Sequence, residues 1–153
     1  IKLDNIAVHS RIIRDYIKNG DIKMANKLLG KKYKIYGQKI KGQGLGAKSF
    51  VPTINLKVDE FLLPNEGVYI TKTILDEQEF NSITFLGHRF TTDGSYAVET
   101  HILDRDIEDK DYTTQIKFCE KLRDNKKFDS FEELKNQILD DIKSAKNYFI
   151  NIY

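Results

Sequence analysis

The chain has 153 residues, with 25 Lys and Arg against 23 Asp and Glu, and its length predicts one domain with one hydrophobic core. The 40% hydrophobic and 11% aromatic content excludes a disordered chain, and no apolar run is long enough for a membrane helix, so we expect a soluble protein. The net charge of only +2 argues against a nucleic-acid-binding protein.

The first part of the chain, residues 10–29, has the pattern of two short helices. Apolar residues recur at helical spacing at Ile12, Ile13, Tyr16 and Ile17. Asn19-Gly20 interrupts the first helix, and Asp21 can cap a second one that ends at Gly30. Because this pair carries few apolar residues, we expect a helical hairpin that packs on another part of the protein.

Six short segments in the middle of the chain predict β-strands. They alternate apolar with polar residues or are β-branched, and they lie at residues 33–40, 53–58, 68–75, 82–86, 96–103 and 115–122. Turn residues separate them at 42–46, 64–67, 76–79, 91–94 and 104–111. No helix pattern lies between them, so the strands are antiparallel. A barrel and a sandwich both remain open, and a closed barrel is slightly favoured because it removes exposed edges.

The last part of the chain predicts one long helix that lies against the sheet. Ser130 and Glu133 have the spacing of a capping box. An apolar stripe follows at Leu134, Ile138, Ile142, Ala145 and Phe149. The charged residues lie off that stripe at Glu132, Glu133, Lys135, Asp141 and Lys143.

Two neighbouring segments have the residue types of a phosphate site. Gly42, Gly44 and Gly46 alternate in a short loop whose backbone N–H groups could bind an anion, although a flexible hairpin turn is an equal alternative. Thr53 and Asn55 are two apart on a predicted strand and therefore share a face. Their oxygens could hold Mg²⁺ bound to phosphates, or they could simply be solvent-facing strand residues.

Two further segments carry candidate catalytic or binding residues. Glu99 lies between apolar neighbours on a predicted strand, which suits a general base, although an exposed strand glutamate is the plainer interpretation. His101 is more often structural than catalytic in such a setting, and the three histidines and one cysteine do not have zinc-ligand spacing. Arg123 could clamp a phosphate and Phe128 could stack on a ring, or both could belong to a solvated run before the last helix.

Taken in order, these segments resemble the riboflavin kinase family, and most closely the C-terminal kinase module of bacterial bifunctional riboflavin kinase/FAD synthetases. The resemblance covers residues 28–149. Its motifs are the glycine loop, P-T-x-N, L-L-P-x-x-G-V-Y, a strand ending in L-G, E-x-H-I-L, a tyrosine loop, L-R-x-x-x-x-F and the final helix. They lie at residues 42–46, 52–55, 62–69, 85–87, 99–104, 112, 122–128 and 130–149.

The resemblance implies a fold and a reaction. The fold is mainly β: a six-stranded antiparallel Greek-key barrel with the C-terminal helix packed on it and a short N-terminal helical hairpin. The reaction transfers the γ-phosphoryl of ATP, with Mg²⁺, to the 5′-hydroxyl of riboflavin and gives FMN and ADP. The resemblance implies that ATP phosphates bind at Gly42, Gly44, Gly46, Lys48, Thr53 and Asn55. It implies that Thr53 and Asn55 also hold the metal, that Glu99 is the general base, and that Arg123 and Phe128 contact the flavin.

The chain departs from the family pattern at three places. Ala47 stands where a basic residue is usual, unless Lys48 supplies that charge across a one-residue shift. Phe50 replaces a glycine, and Asn125 replaces a glutamate in the flavin loop. An alternative function is therefore a non-catalytic flavin-binding barrel with a degenerate nucleotide loop. A nucleic-acid-binding barrel would need a basic, aromatic stripe that residues 31–41 supply only faintly.

The resemblance also predicts the place of this chain in a larger protein. The chain begins with Ile1 rather than Met, and we expect residues 1–27 to be the remnant and linker of a preceding FMN adenylyltransferase domain, with the kinase domain at 28–153. The longer protein would then also make FAD from FMN. Cys119 is the only cysteine and no signal peptide is recognisable, which favours the cytoplasm. We expect a monomer whose partners are ATP and riboflavin, with no nucleic-acid or membrane partner.

Overall fold

The computed structural model describes residues 3–41, 51–91 and 93–151, with side chains from residue 10 onward. Within these ranges the helices are α1 (Leu3–Lys18), α2 (Ile22–Leu29) and α3 (Phe131–Asn151). The strands are β1 (Lys34–Ile40), β2 (Ile54–Lys57), β3 (Gly67–Leu75), β4 (Gln78–His88), β5 (Tyr96–Ile102) and β6 (Thr113–Asp124). None of the described helices has the length and apolar composition that crossing a membrane requires.

The six strands close into an antiparallel barrel in the order β1-β2-β5-β4-β3-β6. This confirms the barrel and excludes the sandwich that the strand pattern had left open. β3, β4 and β5 follow one another as neighbours, and β6 returns to pair with β3, which is the Greek-key arrangement. The predicted barrel, terminal helix and helical hairpin are all confirmed.

The β3–β4 hairpin extends further than the sequence pattern predicted. β4 begins at Gln78 rather than Ser82, and its pairing with β3 continues without interruption from Gly67–Leu86 to Leu75–Gln78. The turn consists of Asp76 and Glu77 alone, with φ of 47° and 77°. Both residues of such a tight turn need positive φ, a role usually filled by Asn-Gly or Asp-Gly, so the sequence predicted a turn at 76–79 but not its reduction to two residues.

The barrel interior combines an apolar layer with a layer of hydroxyl groups. The apolar layer comprises Ile35, Leu56, Tyr69, Leu86, Val98, Ile116 and Phe118, and Ile22 of α2 packs against it. The buried hydroxyls of Thr71, Thr73, Ser82, Thr84 and Thr100 form hydrogen bonds with one another over 2.7 to 3.0 Å. Mutual bonding satisfies these groups without water, so polar strand residues can face the interior.

The helical hairpin is attached to the barrel through α2. The Asp21 carboxylate caps this helix by accepting a hydrogen bond from Met24 N, and Gly30 ends it with φ of 72°. Asn26 donates to the Phe118 carbonyl of β6 at 2.8 Å and accepts from Tyr33 N at 2.7 Å. These bonds fix the hairpin against the strand that closes the barrel.

Helix α3 packs on the outside of the barrel. Its buried residues Ala145 and Phe149 contact an apolar cluster that includes Val68, Ile70 and Ile83. Half of the predicted capping box is present: Ser130 Oγ accepts from Glu133 N at 3.2 Å. The Glu133 carboxylate accepts from the backbone N–H of residue 129 rather than from that of Ser130.

Candidate active site

One row of outward-facing residues crosses five strands and includes three of the predicted site residues. Asn55 of β2 lies opposite Glu99 of β5, and Glu99 lies opposite Phe85 of β4. Phe85 is paired with Val68 of β3, and Val68 with Arg123 of β6. Neighbouring strands are about 4.8 Å apart, so Glu99 and Arg123 are separated by roughly 14 Å along the outer surface. Polar groups thus stand at both ends of the row, and Val68 between them is buried in the apolar cluster against α3.

Asn55, Phe85 and Glu99 face outward because their neighbours in β2, β4 and β5 face the interior. Leu56, Leu86 and Val98 belong to the interior layer, and side chains alternate along a strand. Thr53 lies two residues before Asn55 and is half-buried. β2 begins only at Ile54, so strand alternation directs Asn55 towards the outer surface beside Glu99, and the same-face relation predicted for Thr53 stays a prediction.

Arg89 connects the two polar residues at one end of the row. Its Nε and Nη2 donate to Glu99 Oε1 at 3.0 and 2.6 Å, and Nη2 also donates to Asn55 Oδ1 at 3.0 Å. Its Nη1 donates to Ser95 Oγ at 3.0 Å. The Arg89 and Glu99 side chains are 17% and 24% exposed, so this pair is only partly screened by water. In the described part of the chain, all hydrogen bonds to Glu99 are made to Oε1.

Sequence reasoning did not identify Arg89. It follows the last residue of β4 and belongs to no spacing pattern, since its function depends on contacts with β2 and β5. The only signal was a lone arginine between two strands, in the segment before the E-x-H-I-L motif. Such a residue is usually solvated, and only the pairing of β4 with β5 shows otherwise.

His101 has a structural contact within the same site. Its Nδ1 lies 2.7 Å from the carbonyl oxygen of Pro52, and a carbonyl can only accept, so this nitrogen donates. The bond fixes the segment that enters β2 just before Thr53. It supports the structural interpretation of His101 over the catalytic one.

The loop from Arg123 to Phe128 is attached at its start to α3. Arg123 Nε lies 3.0 Å from both carboxylate oxygens of Asp141, and Nη2 donates to Oδ2 at 2.8 Å. The guanidinium carbon lies 5.6 Å from the centre of the buried Phe128 ring. Asp141 is 4% exposed, so its predicted place off the packed face was wrong, because pairing with Arg123 offsets the cost of burying the carboxylate.

Asn125 attaches the middle of the same loop to the barrel. Its amide donates to Glu66 Oε1 at 3.1 Å and to the His88 carbonyl at 2.8 Å. Glu66 Oε1 also accepts from His88 N at 2.6 Å and lies 3.1 Å from His88 Nδ1. Burial opposes ionisation of Glu66, but the hydrogen bonds from His88 and Asn125 outweigh it and hold the pKa of Glu66 below its ordinary value. Further along, Phe128 N donates to Thr91 Oγ1 at 3.1 Å.

The predicted phosphate loop lies outside the described residues. This applies to Gly42, Gly44, Gly46 and Lys48, and to the two departures at Ala47 and Phe50. The strands on either side of the loop are described, and Ile40 at the end of β1 lies opposite Asn55 of β2. The described part of the chain also has no cluster of three or more His, Cys, Asp or Glu that could hold a metal.

Comparison with known proteins gives a consistent family. A family model described as "Riboflavin kinase" matches residues 29–149. A bifunctional riboflavin kinase/FMN adenylyltransferase from Haemophilus influenzae is 36% identical over 149 residues, which cover 96% of this chain and 48% of that protein. The protein of the same name from Pseudomonas fluorescens is 32% identical over 150 residues, 95% of this chain and 48% of its own length.

The chain thus spans about half the length of these relatives. A solved structure described as a macrolide-efflux protein from Streptococcus pneumoniae has a TM-score of 0.79 and 30% identity. The match covers 90% of this chain and 46% of that one. The sequence resemblance, the closed barrel and the family match agree, and the chain belongs to the riboflavin kinase family.

Proposed function

We propose that this chain transfers the γ-phosphoryl group of ATP to the 5′-hydroxyl of riboflavin, giving FMN and ADP. The family uses these two substrates. The observation that carries the proposal is the pairing of Asn55 with Glu99 across β2 and β5, with one guanidinium bound to both. A metal-ligand oxygen beside a carboxylate is the pair that phosphoryl transfer to a hydroxyl requires.

Glu99 is the general base of the proposed reaction. Arg89 contacts Oε1, and Oε2 is the oxygen that would accept the proton of the ribityl 5′-hydroxyl. Deprotonation is needed as the hydroxyl oxygen attacks the γ-phosphorus, and a base must lie within hydrogen-bond distance of that proton. Glu99 is partly exposed on the outer surface, which allows a substrate to approach it.

Thr53 and Asn55 are suited to hold Mg²⁺ together with the ATP phosphates. The cation prefers oxygen ligands, keeps several waters and would neutralise charge on the phosphate oxygens. Asn55 Oδ1 accepts a hydrogen bond from the Arg89 guanidinium, which also binds Glu99, and this common partner supports the proposal. The segment carrying Gly42, Gly44, Gly46 and Lys48 would bind the phosphates, and the end of β1 that precedes it, at Ile40, lies opposite Asn55.

The flavin ring is proposed to lie along the row towards Arg123. Phe85 is half-buried next to Glu99 and offers an aromatic surface for a planar ring. Phe128 and Arg123 stand at the far end, and Arg123 would act there while its guanidinium remains bound to Asp141.

The direct test is FMN formation from riboflavin with Mg·ATP. We expect Glu99→Gln to lower kcat by about 10²- to 10⁴-fold, the range for loss of a general base. The exposed Glu132→Gln on α3 is the matched control and should keep full activity. Retained turnover in the Glu99 variant would show that another group is the base. Flavin binding without FMN formation by the natural sequence would instead support a non-catalytic flavin-binding barrel.

The rest of the proposal concerns the longer protein. The relatives combine two activities over twice the length of this chain. We propose that the natural protein also adenylylates FMN through a further domain, and that residues 1–27 belong to the connection with it. This chain alone should then form no FAD from FMN and ATP. We propose a cytoplasmic setting without nucleic-acid partners. We also propose that the chain is a monomer, which sedimentation at several protein concentrations would check.

A further inference from the structure

The side chain of Arg89 forms hydrogen bonds with both Glu99 and Asn55. One of its nitrogens, Nη2, lies 2.6 Å from the carboxylate and 3.0 Å from the carboxamide. Without this contact each side chain could rotate separately on its own strand. The guanidinium is planar and presents its donors in a rigid fork, so two acceptors bound to it have a fixed relation.

Arg89 is itself held in place by its surroundings. Ser95 Oγ accepts from Arg89 Nη1 at 3.0 Å and donates to Asp93 Oδ1 at 2.7 Å. The backbone around it forms a closed turn, with Arg89 N bonded to the Ser95 carbonyl and Gly94 N bonded to the Arg89 carbonyl, both at 2.9 Å. The guanidinium is therefore supported from the β4–β5 connection while its other face contacts Glu99 and Asn55.

We propose that Arg89 is a positioning residue that fixes the carboxylate of Glu99 relative to the carboxamide of Asn55, and so aligns the attacking hydroxyl with the metal-bound γ-phosphoryl group. This inference rests on the proposed kinase function and adds to it a residue that acts through two others. Phosphoryl transfer depends largely on alignment of the attacking oxygen with the phosphorus. A displacement of about 1 Å in such a geometry can cost about 100-fold in rate.

A positioning residue and a merely structural ion pair differ in their effect on the kinetics. A structural pair would lower stability and leave the turnover of the folded enzyme unchanged. A positioning residue lowers kcat, because the base and metal ligand are misaligned, while riboflavin still binds. Its effect also depends on Glu99, since there is little left to align once the base has been removed.

The experiment compares Arg89→Gln and Arg89→Lys, each alone and combined with Glu99→Gln. We expect kcat for FMN formation to fall about 10- to 100-fold in Arg89→Gln, with the riboflavin Kd from fluorescence quenching changed less than about 3-fold. Arg89→Lys should lose kcat as well, because a lysine is a point charge without the fork. In the Glu99→Gln background the Arg89 substitutions should cost less than about 3-fold further.

The matched control is Arg105→Gln. Arg105 lies over the Phe80 ring outside the proposed site, so this variant should have natural kcat. Natural kcat in folded Arg89→Gln, full recovery in Arg89→Lys, or additive losses with Glu99→Gln would each overturn the positioning function. If Arg89→Gln does not fold, Arg89→Lys and its combination with Glu99→Gln decide the question. Absence of FMN formation by the natural sequence would instead overturn the proposed kinase function, so the two failures are distinguishable.

Discussion

Arg123 of β6 and Asp141 of α3 form a double hydrogen bond that joins the start of the loop at 123–128 to the terminal helix. Asp141 is almost fully buried, and it also accepts from Gln137 at 2.9 Å. A buried carboxylate is tolerated when its charge is paired and its oxygens are hydrogen-bonded, and both conditions are met here. The bond thus links helix packing to the position of the proposed flavin loop.

Asp141→Asn should destabilise the protein through loss of this bond. The substitution leaves the Arg123 guanidinium without its counter-charge in a largely buried setting, and we expect the free energy of unfolding to fall by about 3 kcal/mol. Urea denaturation measures this change. The neighbouring Asp140 is exposed, so Asp140→Asn should stay within about 0.5 kcal/mol of the natural sequence. Equal stability of the two variants would show that the pair contributes nothing net.

Asn125→Asp should release the middle of the loop. The new carboxylate would stand 3.1 Å from Glu66 Oε1, replacing a donor with a like charge. We expect faster hydrogen exchange at Phe128 N and a KM for riboflavin raised several-fold, with the KM for ATP unchanged. The free energy of unfolding should also fall, since a hydrogen bond to a charged acceptor, such as the bond from Asn125 to Glu66, contributes about 1.5 to 3 kcal/mol. Asn136→Asp on the exposed face of α3 is the control, and a similar rise in KM there would refute the local mechanism.

Fold class was more accessible from the sequence than the contacts within the site. Strand alternation and the helical stripe depend on nearby residues, so all six strands and three helices were predicted, although α1 begins at Leu3 rather than at residue 10 and β4 at Gln78 rather than Ser82. The sequence did not predict the contacts of Arg89, Asp141 and Asn125, because their partners lie 10, 18 and 59 residues away along the chain. Asn125 was noted only as a departure from the family pattern, whereas the structure bonds it to Glu66.

The dependence of stability on pH should include a contribution from Glu66. Its pKa is lower in the folded protein than the ordinary value of 4.5. Ionised Glu66 therefore stabilises the fold fully above that value, and the contribution is lost as the pH falls through the lower, folded-state pKa. Glu66→Gln should show a shallower loss of stability on acidification than the natural sequence. Thermal unfolding from pH 6 to pH 3 measures it, and parallel curves for the two proteins would contradict the assignment.

Gly87 should not tolerate a side chain, because its φ is positive and because Glu66 lies where a Cβ would stand. Its φ is 142°, and a Cβ there would overlap Glu66 Oε1 and lie 3.0 Å from Asn125 Nδ2. Gly30 has a positive φ of 72° with nothing within 4 Å of a Cβ, so Gly30→Ala measures backbone strain alone, about 1 kcal/mol. We expect Gly87→Ala to cost about 2 kcal/mol more, from the clash and from the broken Glu66 bonds.

A double variant separates the two causes at Gly87. In the Gly87→Ala background, Glu66→Ala removes the overlapping carboxylate. There it should lower the free energy of unfolding much less than it does in the natural sequence, or even raise it. The coupling free energy from the four unfolding curves should be about 1 to 3 kcal/mol in this direction. Simple additivity would mean that backbone strain alone requires glycine at this position. Coupling would instead show that close approach of Glu66, which also holds Asn125, is what excludes a side chain there.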